Sequence, residues 1–210
     1  MIPNEQDVKV QRLVEFTGNL TDFPDIQAVY ASYGHMGATL TDAALQAGVN
    51  FKSTVEPRVR AVLSHYPEAR STTAFQALVQ EKGAAQILSW QEGAKPQRLR
   101  DLLNLLMDEG IETEHELRVW LDQEANAARL QNIRGVKTKT YQYLRILCGD
   151  PEAVAVDVNL RKFFRLANIG VSGDEELAEI VGRAAQLMGV TPAGLDHAIW
   201  SWVASNRSSA

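Results

Sequence analysis

Apolar residues recur at three- and four-residue spacing along the chain, and no long stretch alternates apolar with polar. That period is the signature of helices that each bury one face, so it predicts an all-α fold. The clearest case begins at Lys95-Pro96, with Pro96 suited to a first helical turn. Leu99, Leu102, Leu103 and Leu106 form one stripe there, and Gly110 follows as a stop. A second helix is expected over 113–121, with Leu117, Trp120 and Leu121 inward, and a third from near Lys139 to Cys148, burying Tyr143, Leu144 and Leu147. A fourth starts near Asp157 and carries Leu160, Phe163, Phe164 and Ala167. A fifth covers 174–188, with Leu177, Ile180, Val181, Ala184 and Leu187 on its stripe. The last runs over 192–204 and turns Leu195, Ile199 and Trp202 inward. Only Ala153 to Val156 looks extended, and with no second strand to pair it reads as a buried connector.

Several function classes are disfavoured at this level. A chain of 210 residues suffices for one large domain or two small lobes. No stretch approaches the roughly 18 apolar residues of a membrane span, and the polar opening MIPNEQDVKVQ is unlike a secretory signal. One cysteine, Cys148, excludes an internal disulfide and a four-cysteine cluster. No two of His35, His65, His115 and His197 share metal-ligand spacing, so no metal and no cofactor are expected. A cytoplasmic setting, nucleoid-associated in a bacterium, fits these features. The net charge of −5 argues mildly against nucleic acid. Its distribution argues otherwise: residues 133–166 hold seven Lys or Arg against three Asp or Glu, which leaves −9 for the remainder. A basic island on an acidic body suits local phosphate binding.

The chemistry-bearing segment is Ile133-Arg-Gly-Val-Lys-Thr-Lys-Thr140, followed by Val156-Asp-Val-Asn159. Gly135 falls between two helical stretches, the usual place for a positive φ. A tight turn there presents backbone N–H groups at the start of the next helix, which makes an anion site suited to a DNA phosphate. Such a contact positions a duplex and reads no sequence. Lys139 falls in the first turn of that helix, where the positive end of the dipole favours the neutral amine, the nucleophilic form. Asp157 lies eighteen residues later, and the intervening helix and turn can return it beside Lys139. Asp157 equally suits a helix N-cap. An exposed lysine and a capping aspartate account for the same residues.

At these positions the chain resembles the helix-hairpin-helix DNA glycosylases, endonuclease III in particular. Their pattern is Leu-Pro-Gly-Val-Gly-x-Lys-Thr-Ala and then Val-Asp-Thr-His. It aligns with Ile-Arg-Gly-Val-Lys-Thr-Lys-Thr-Tyr and Val-Asp-Val-Asn here, with the same lysine-to-aspartate separation. His65-Tyr66-Pro67, the helix from Ala74, the Lys95–Gly110 helix and Leu195-Asp-His-Ala-Ile-Trp200 follow the same helix order, over about 160 residues. The departures are Arg134 for the hairpin proline, Lys137 for the second hairpin glycine and Asn159 for the histidine; Lys162 is nearest to the arginine that follows. A left-handed conformation at Lys137 would cost about 1–2 kcal/mol. The iron–sulfur loop is absent, as in other members that lack the cluster.

The resemblance implies a two-lobed fold: a helical bundle over 36–150 that ends in the hairpin, and a second lobe of 1–35 with 151–210. It implies base-excision repair, with a damaged nucleotide extruded into a pocket between the lobes. Lys139 would attack the sugar C1′ and form a Schiff base that permits strand cleavage, making the protein a glycosylase and apurinic/apyrimidinic lyase. Asp157 would stabilise the developing positive charge. Arg134, Gly135, Val136, Lys137 and Thr138 would hold the DNA backbone. Phe51 and Lys52 fall where glycosylases keep the loop that fills the gap left by the extruded base. The implied partner is double-stranded DNA carrying a damaged base or an abasic site, bound by a monomer. A non-catalytic DNA-binding or damage-sensing protein of the same fold is the alternative, favoured by Lys137, Asn159 and the acidic total.

Overall fold

A computed structural model describes residues 4–26 and 32–206. Among the described residues there are twelve α-helices and no strands. They are α1 (Glu5–Gly18), α2 (Met36–Leu45), α3 (Glu56–His65), α4 (Thr72–Lys82), α5 (Ala84–Ile87) and α6 (Ala94–Asp108). Then follow α7 (Glu114–Leu121), α8 (Glu124–Gln131), α9 (Thr138–Leu147), α10 (Val158–Leu166), α11 (Asp174–Met188) and α12 (Pro192–Ser205). One π-helical turn, Phe51–Val55, leads into α3. The chain divides into two compact units, Ala31–Gly149 and Met1–Tyr30 with Asp150–Ala210.

The unit containing both chain ends is built from α1, α10, α11 and α12. Phe163 sits at its centre, wholly buried. Phe16 and Trp202 meet it edge-on, with ring centroids at 5.2 and 5.5 Å. Edge-to-face contacts of this kind add to the energy of burial. Leu13, Leu160, Leu177, Ile180, Val181, Leu195 and Ile199 fill the space around it. Leu187 is 58% exposed, contrary to its expected place on the α11 stripe. At 3.6 residues per turn it lies roughly 90° from the stripe's centre, and Ala185 and Met188 take the inward positions. The connector 153–155 is buried and unpaired with any strand. The Ala155 N–H instead donates to Asp196 Oδ2 of α12 at 2.9 Å.

The other unit is organised around α2, all ten of whose residues are buried. Apart from Asp42, its sequence MGATLTDAAL is small or apolar on every side, the pattern of a helix with no solvent face. Helices α3, α4, α6 and α9 surround it. A β-carbon at Gly37 would lie 3.0 Å from Phe75 and 3.1 Å from the Ala69 carbonyl, so α4 and the preceding loop approach closely there.

A buried helix must satisfy its end groups internally. At the start of α2 the Met36 and Gly37 N–H groups donate to the Arg70 and Ala69 carbonyls. His35 caps the helix, its Nδ1 accepting from Ala38 N–H at 3.1 Å, with Nε2 2.9 Å from the Tyr66 carbonyl. Glu114 accepts from the Gly34 and His35 N–H groups and from the Thr39 hydroxyl. At the far end, Lys95 Nζ donates to the Leu45 and Ala47 carbonyls, and Arg98 Nη1 donates to the Ala44 carbonyl at 2.8 Å. Cations at a helix C-terminus also oppose its dipole.

Midway along α2, Asp42 is completely buried. Tyr33 donates to its Oδ2 at 2.9 Å and Tyr143 reaches both oxygens at 3.2 Å. Burial outweighs these two hydrogen bonds and pushes the carboxyl up to about 6. In the unfolded chain the group titrates near 3.8. The folded state therefore holds the proton more tightly, and stability falls as pH rises from about 4 to about 6. Two pKa units correspond to about 2–3 kcal/mol. Asparagine at 42 offers an oxygen to one tyrosine and an amide N–H to the other. We expect the stability of wild type relative to Asp42→Asn, from urea unfolding, to decline by that amount across the window and to level off above it. A pH-independent difference would contradict a buried, proton-retaining Asp42.

Candidate nucleic-acid interface

The turn between α8 and α9 is short and tightly held. The Ile133 N–H donates to the Leu130 carbonyl and the Val136 N–H to the Ile133 carbonyl, at 3.1 and 3.0 Å. Gly135, with φ of +87°, reverses the chain in a region that disfavours any side chain. Val136 is wholly buried and anchors the turn to the core. Beneath it lies Arg98 of α6, itself buried. Arg98 Nε donates to the Arg134 carbonyl at 3.2 Å, while Nη1 holds the end of α2. One guanidinium therefore ties the turn to the central helix.

Lys137 is the N-cap of α9, with φ of −131° and ψ of −179°. This is extended backbone, open to any residue, so the left-handed strain expected from the missing second glycine does not arise. No side chain caps the start of α9. Arg134, Lys137, Thr138 and Lys139 are all exposed around it, whereas Thr140 is buried. A helix start with an uncapped first turn and basic neighbours is suited to an anion.

Asp157 belongs to the other unit, where it is the N-cap of α10 and half-buried. Its Oδ1 accepts from the Asn159 and Leu160 N–H groups at 2.8 and 2.9 Å. Asn159 is buried in the first turn that Asp157 caps. Phe51 and Lys52 open the π-helical turn; Phe51 is half-buried and Lys52 exposed. The side chain of Asn50 accepts from the Ser53 N–H at 3.0 Å and fixes the entry to that turn.

Arg98 was not among the residues singled out by spacing. Its signal was present: it lies four residues before Leu102, on the buried stripe of α6, where a charge requires internal partners. Charge also differs between the units. Residues 31–149 hold 14 Lys and Arg against 13 Asp and Glu, net +1, and the other unit holds 7 against 13, net −6. The net negative charge thus falls in the other unit. Among the described residues no group of His, Cys, Asp and Glu is placed to hold a metal ion. None of the helices there is long and apolar enough to cross a membrane.

Residues 23–204 match the family described as Domain of unknown function (DUF8548). The chain belongs to this family. No curated protein and no solved structure matches it. The DUF8548 region takes in the α8–α9 turn, Asp157 and all of α2 through α11, and leaves α1 outside.

Within that region, Gly135 has no room for a side chain. A β-carbon there would collide with Arg98 Nη2 and lie 2.7 Å from its Cζ and 2.9 Å from its Nε, in addition to the cost of a positive φ. Gly135→Ala should destabilise the protein by at least about 1–2 kcal/mol from backbone strain alone. Denaturant unfolding of this variant beside Lys137→Gly checks the account. Lys137 needs no special backbone, so its replacement by glycine should change stability by less than the Gly135 variant. Equal effects would contradict the assignment of positive φ to Gly135 alone.

Proposed function

We propose that this protein is a DNA base-excision repair glycosylase with apurinic/apyrimidinic lyase activity, of the helix-hairpin-helix type with two helical lobes and no iron–sulfur cluster. The observation that carries the reading is the α8–α9 turn: a glycine at φ of +87°, an uncapped helix start, and Lys139 exposed in the first turn. It is supported by the likeness of 133–140 and 156–159 to the glycosylase segments, and by the net negative charge lying in the other unit.

In this reading the turn and α9's first amides hold a phosphate of the duplex, aided by Arg134, Lys137 and Thr138. Lys139 Nζ attacks C1′ of the damaged nucleotide, the C1′–N bond breaks, and the base departs with the bonding pair. The sugar ring then opens to a Schiff base between Nζ and C1′. Loss of a proton from C2′ expels the 3′-phosphate by β-elimination, and water later returns the free amine. Asp157 stabilises positive charge as the base leaves. Phe51 and Lys52 act at the gap left by the extruded base and at the adjoining phosphate.

One observation favours the second reading, a DNA-binding damage sensor without chemistry. Asp157 already has a structural task, accepting two backbone N–H groups at the start of α10. Borohydride trapping on an abasic-site duplex separates the two readings. We expect a covalent adduct with wild type, its loss in Lys139→Ala, and retention of duplex binding by that variant. Asp157→Asn should fold, since asparagine also caps, and should form adduct more slowly. Salt-dependent duplex binding by a wild type that forms no adduct would replace the enzyme reading with the sensor reading.

A further inference from the structure

A cavity of about 270 Å³ opens at the start of α6, beside the hairpin rather than on it. Its charged walls are Arg98, Arg100 and Arg134, with Asp101 as the one acid among its lining residues. Gly93, Ala94 and Gln97 form the rest. Gly93 is the N-cap of α6 and no side chain caps this fifteen-residue helix, so the positive end of its dipole adds to the three guanidinium groups. Asp101 is engaged by Gln97 Nε2 at 2.8 Å, while Arg100 Nη2 lies 3.1 Å from Glu92 and Arg100 Nε and Nη2 donate to Gln97 Oε1 at 3.3 and 3.2 Å.

The deepest element is Arg98, only 7% exposed. Its Nε and Nη1 donate to the Arg134 and Ala44 carbonyls, which leaves Nη2 without a protein acceptor among the described residues. Nη2 packs over Gly135 at the edge of the basic cavity that Arg98 lines, and a guanidinium buried without a counter-charge costs desolvation energy that an anion offsets. Burial pushes Arg98 below the ordinary guanidinium range, in keeping with a cation that lacks a counter-charge.

We infer that this cavity is a phosphate subsite, in which Arg98 Nη2, Arg100 and Arg134 donate to the non-bridging oxygens of one phosphate. Under the DNA reading above, on which this assignment of source rests, the group is a backbone phosphate of the duplex. Arg98 holds the site from inside, and Arg134 joins it to the hairpin through its own backbone carbonyl. Arg100 is the residue that belongs to the subsite without belonging to the hairpin or to the core.

The test uses Arg100→Ala, Arg100→Glu and Asp101→Asn in the full chain, with Lys137→Ala as the hairpin control. Duplex affinity is measured across a salt series, and amide and arginine Nε–H resonances are followed on addition of inorganic phosphate or of duplex. Removing one phosphate contact should lower the slope of log K against log salt by about one. Arg100→Ala should show that change, Arg100→Glu a larger loss of affinity, and Asp101→Asn a gain. Phosphate should shift Arg98 Nε–H and the Ala94 and Gln97 amides in wild type and not in Arg100→Glu. If phosphate shifts these resonances but no duplex binds, the subsite stands and the DNA reading fails. If duplex binds and weakens with Lys137→Ala, yet the Arg100 variants bind like wild type and the cavity resonances stay still, the subsite is overturned and the DNA reading stands. Silence of these resonances toward both phosphate and duplex also overturns it.

Discussion

The structure of the hairpin's unit depends on burying a helix completely. Helix α2 has no solvent face, so every polar group at its ends and along its length needs a protein partner. The start is held by the 69–70 loop, His35 and Glu114. The far end is held by Lys95 and Arg98, which reach from α6 to the last carbonyls. Burial and its nearness to Arg98 push Lys95 down to about 8, so this clamp is made of cations that the interior holds reluctantly. Opposite charge is present in the same interior as Asp42 and Glu114, each bound by hydrogen bonds. A uniformly apolar core would have been simpler to pack. The polar ties fix which helices meet α2, and at which turn.

That clamp is also what shapes the candidate interface. Arg98 spans from the end of α2 to the carbonyl before Gly135, and the glycine leaves room for its guanidinium. The conformation of the turn is thus set from below by the core, while Val136 pins the next residue. What remains outward is a helix start surrounded by Arg134, Lys137, Thr138 and Lys139. Tyr143, one turn further along α9 than Lys139, reaches Asp42 and orients the helix against α2. Packing and surface chemistry share the same few side chains, so a substitution in one is felt in the other.

The helices legible in the sequence were those with two faces. In α6, α7, α10 and α11 the apolar stripe stands against polar residues, and their bounds follow from the start and stop residues around them. Helix α2 was not legible, because a segment apolar on all sides carries no period. Leu187 was misjudged because helical spacing admits two directions near a helix end, and Met188 fills the inward one. At the candidate site the residue types were readable, and the backbone was not. Lys137 looked strained by its alignment with a glycine, and extended geometry removes the strain. Arg98 was hidden because its role is a set of contacts to carbonyls distant in sequence, which no local pattern encodes.

In the proposed reaction one particular amine of this chain is the nucleophile toward an abasic or damaged sugar. Mapping the borohydride-trapped adduct by peptide mass spectrometry identifies it, because the chain offers competing amines in Lys137 and Lys52. The sugar-derived mass should fall on Lys139 and on no other lysine. An adduct carried by Lys137 or Lys52, or spread over several lysines, would contradict it.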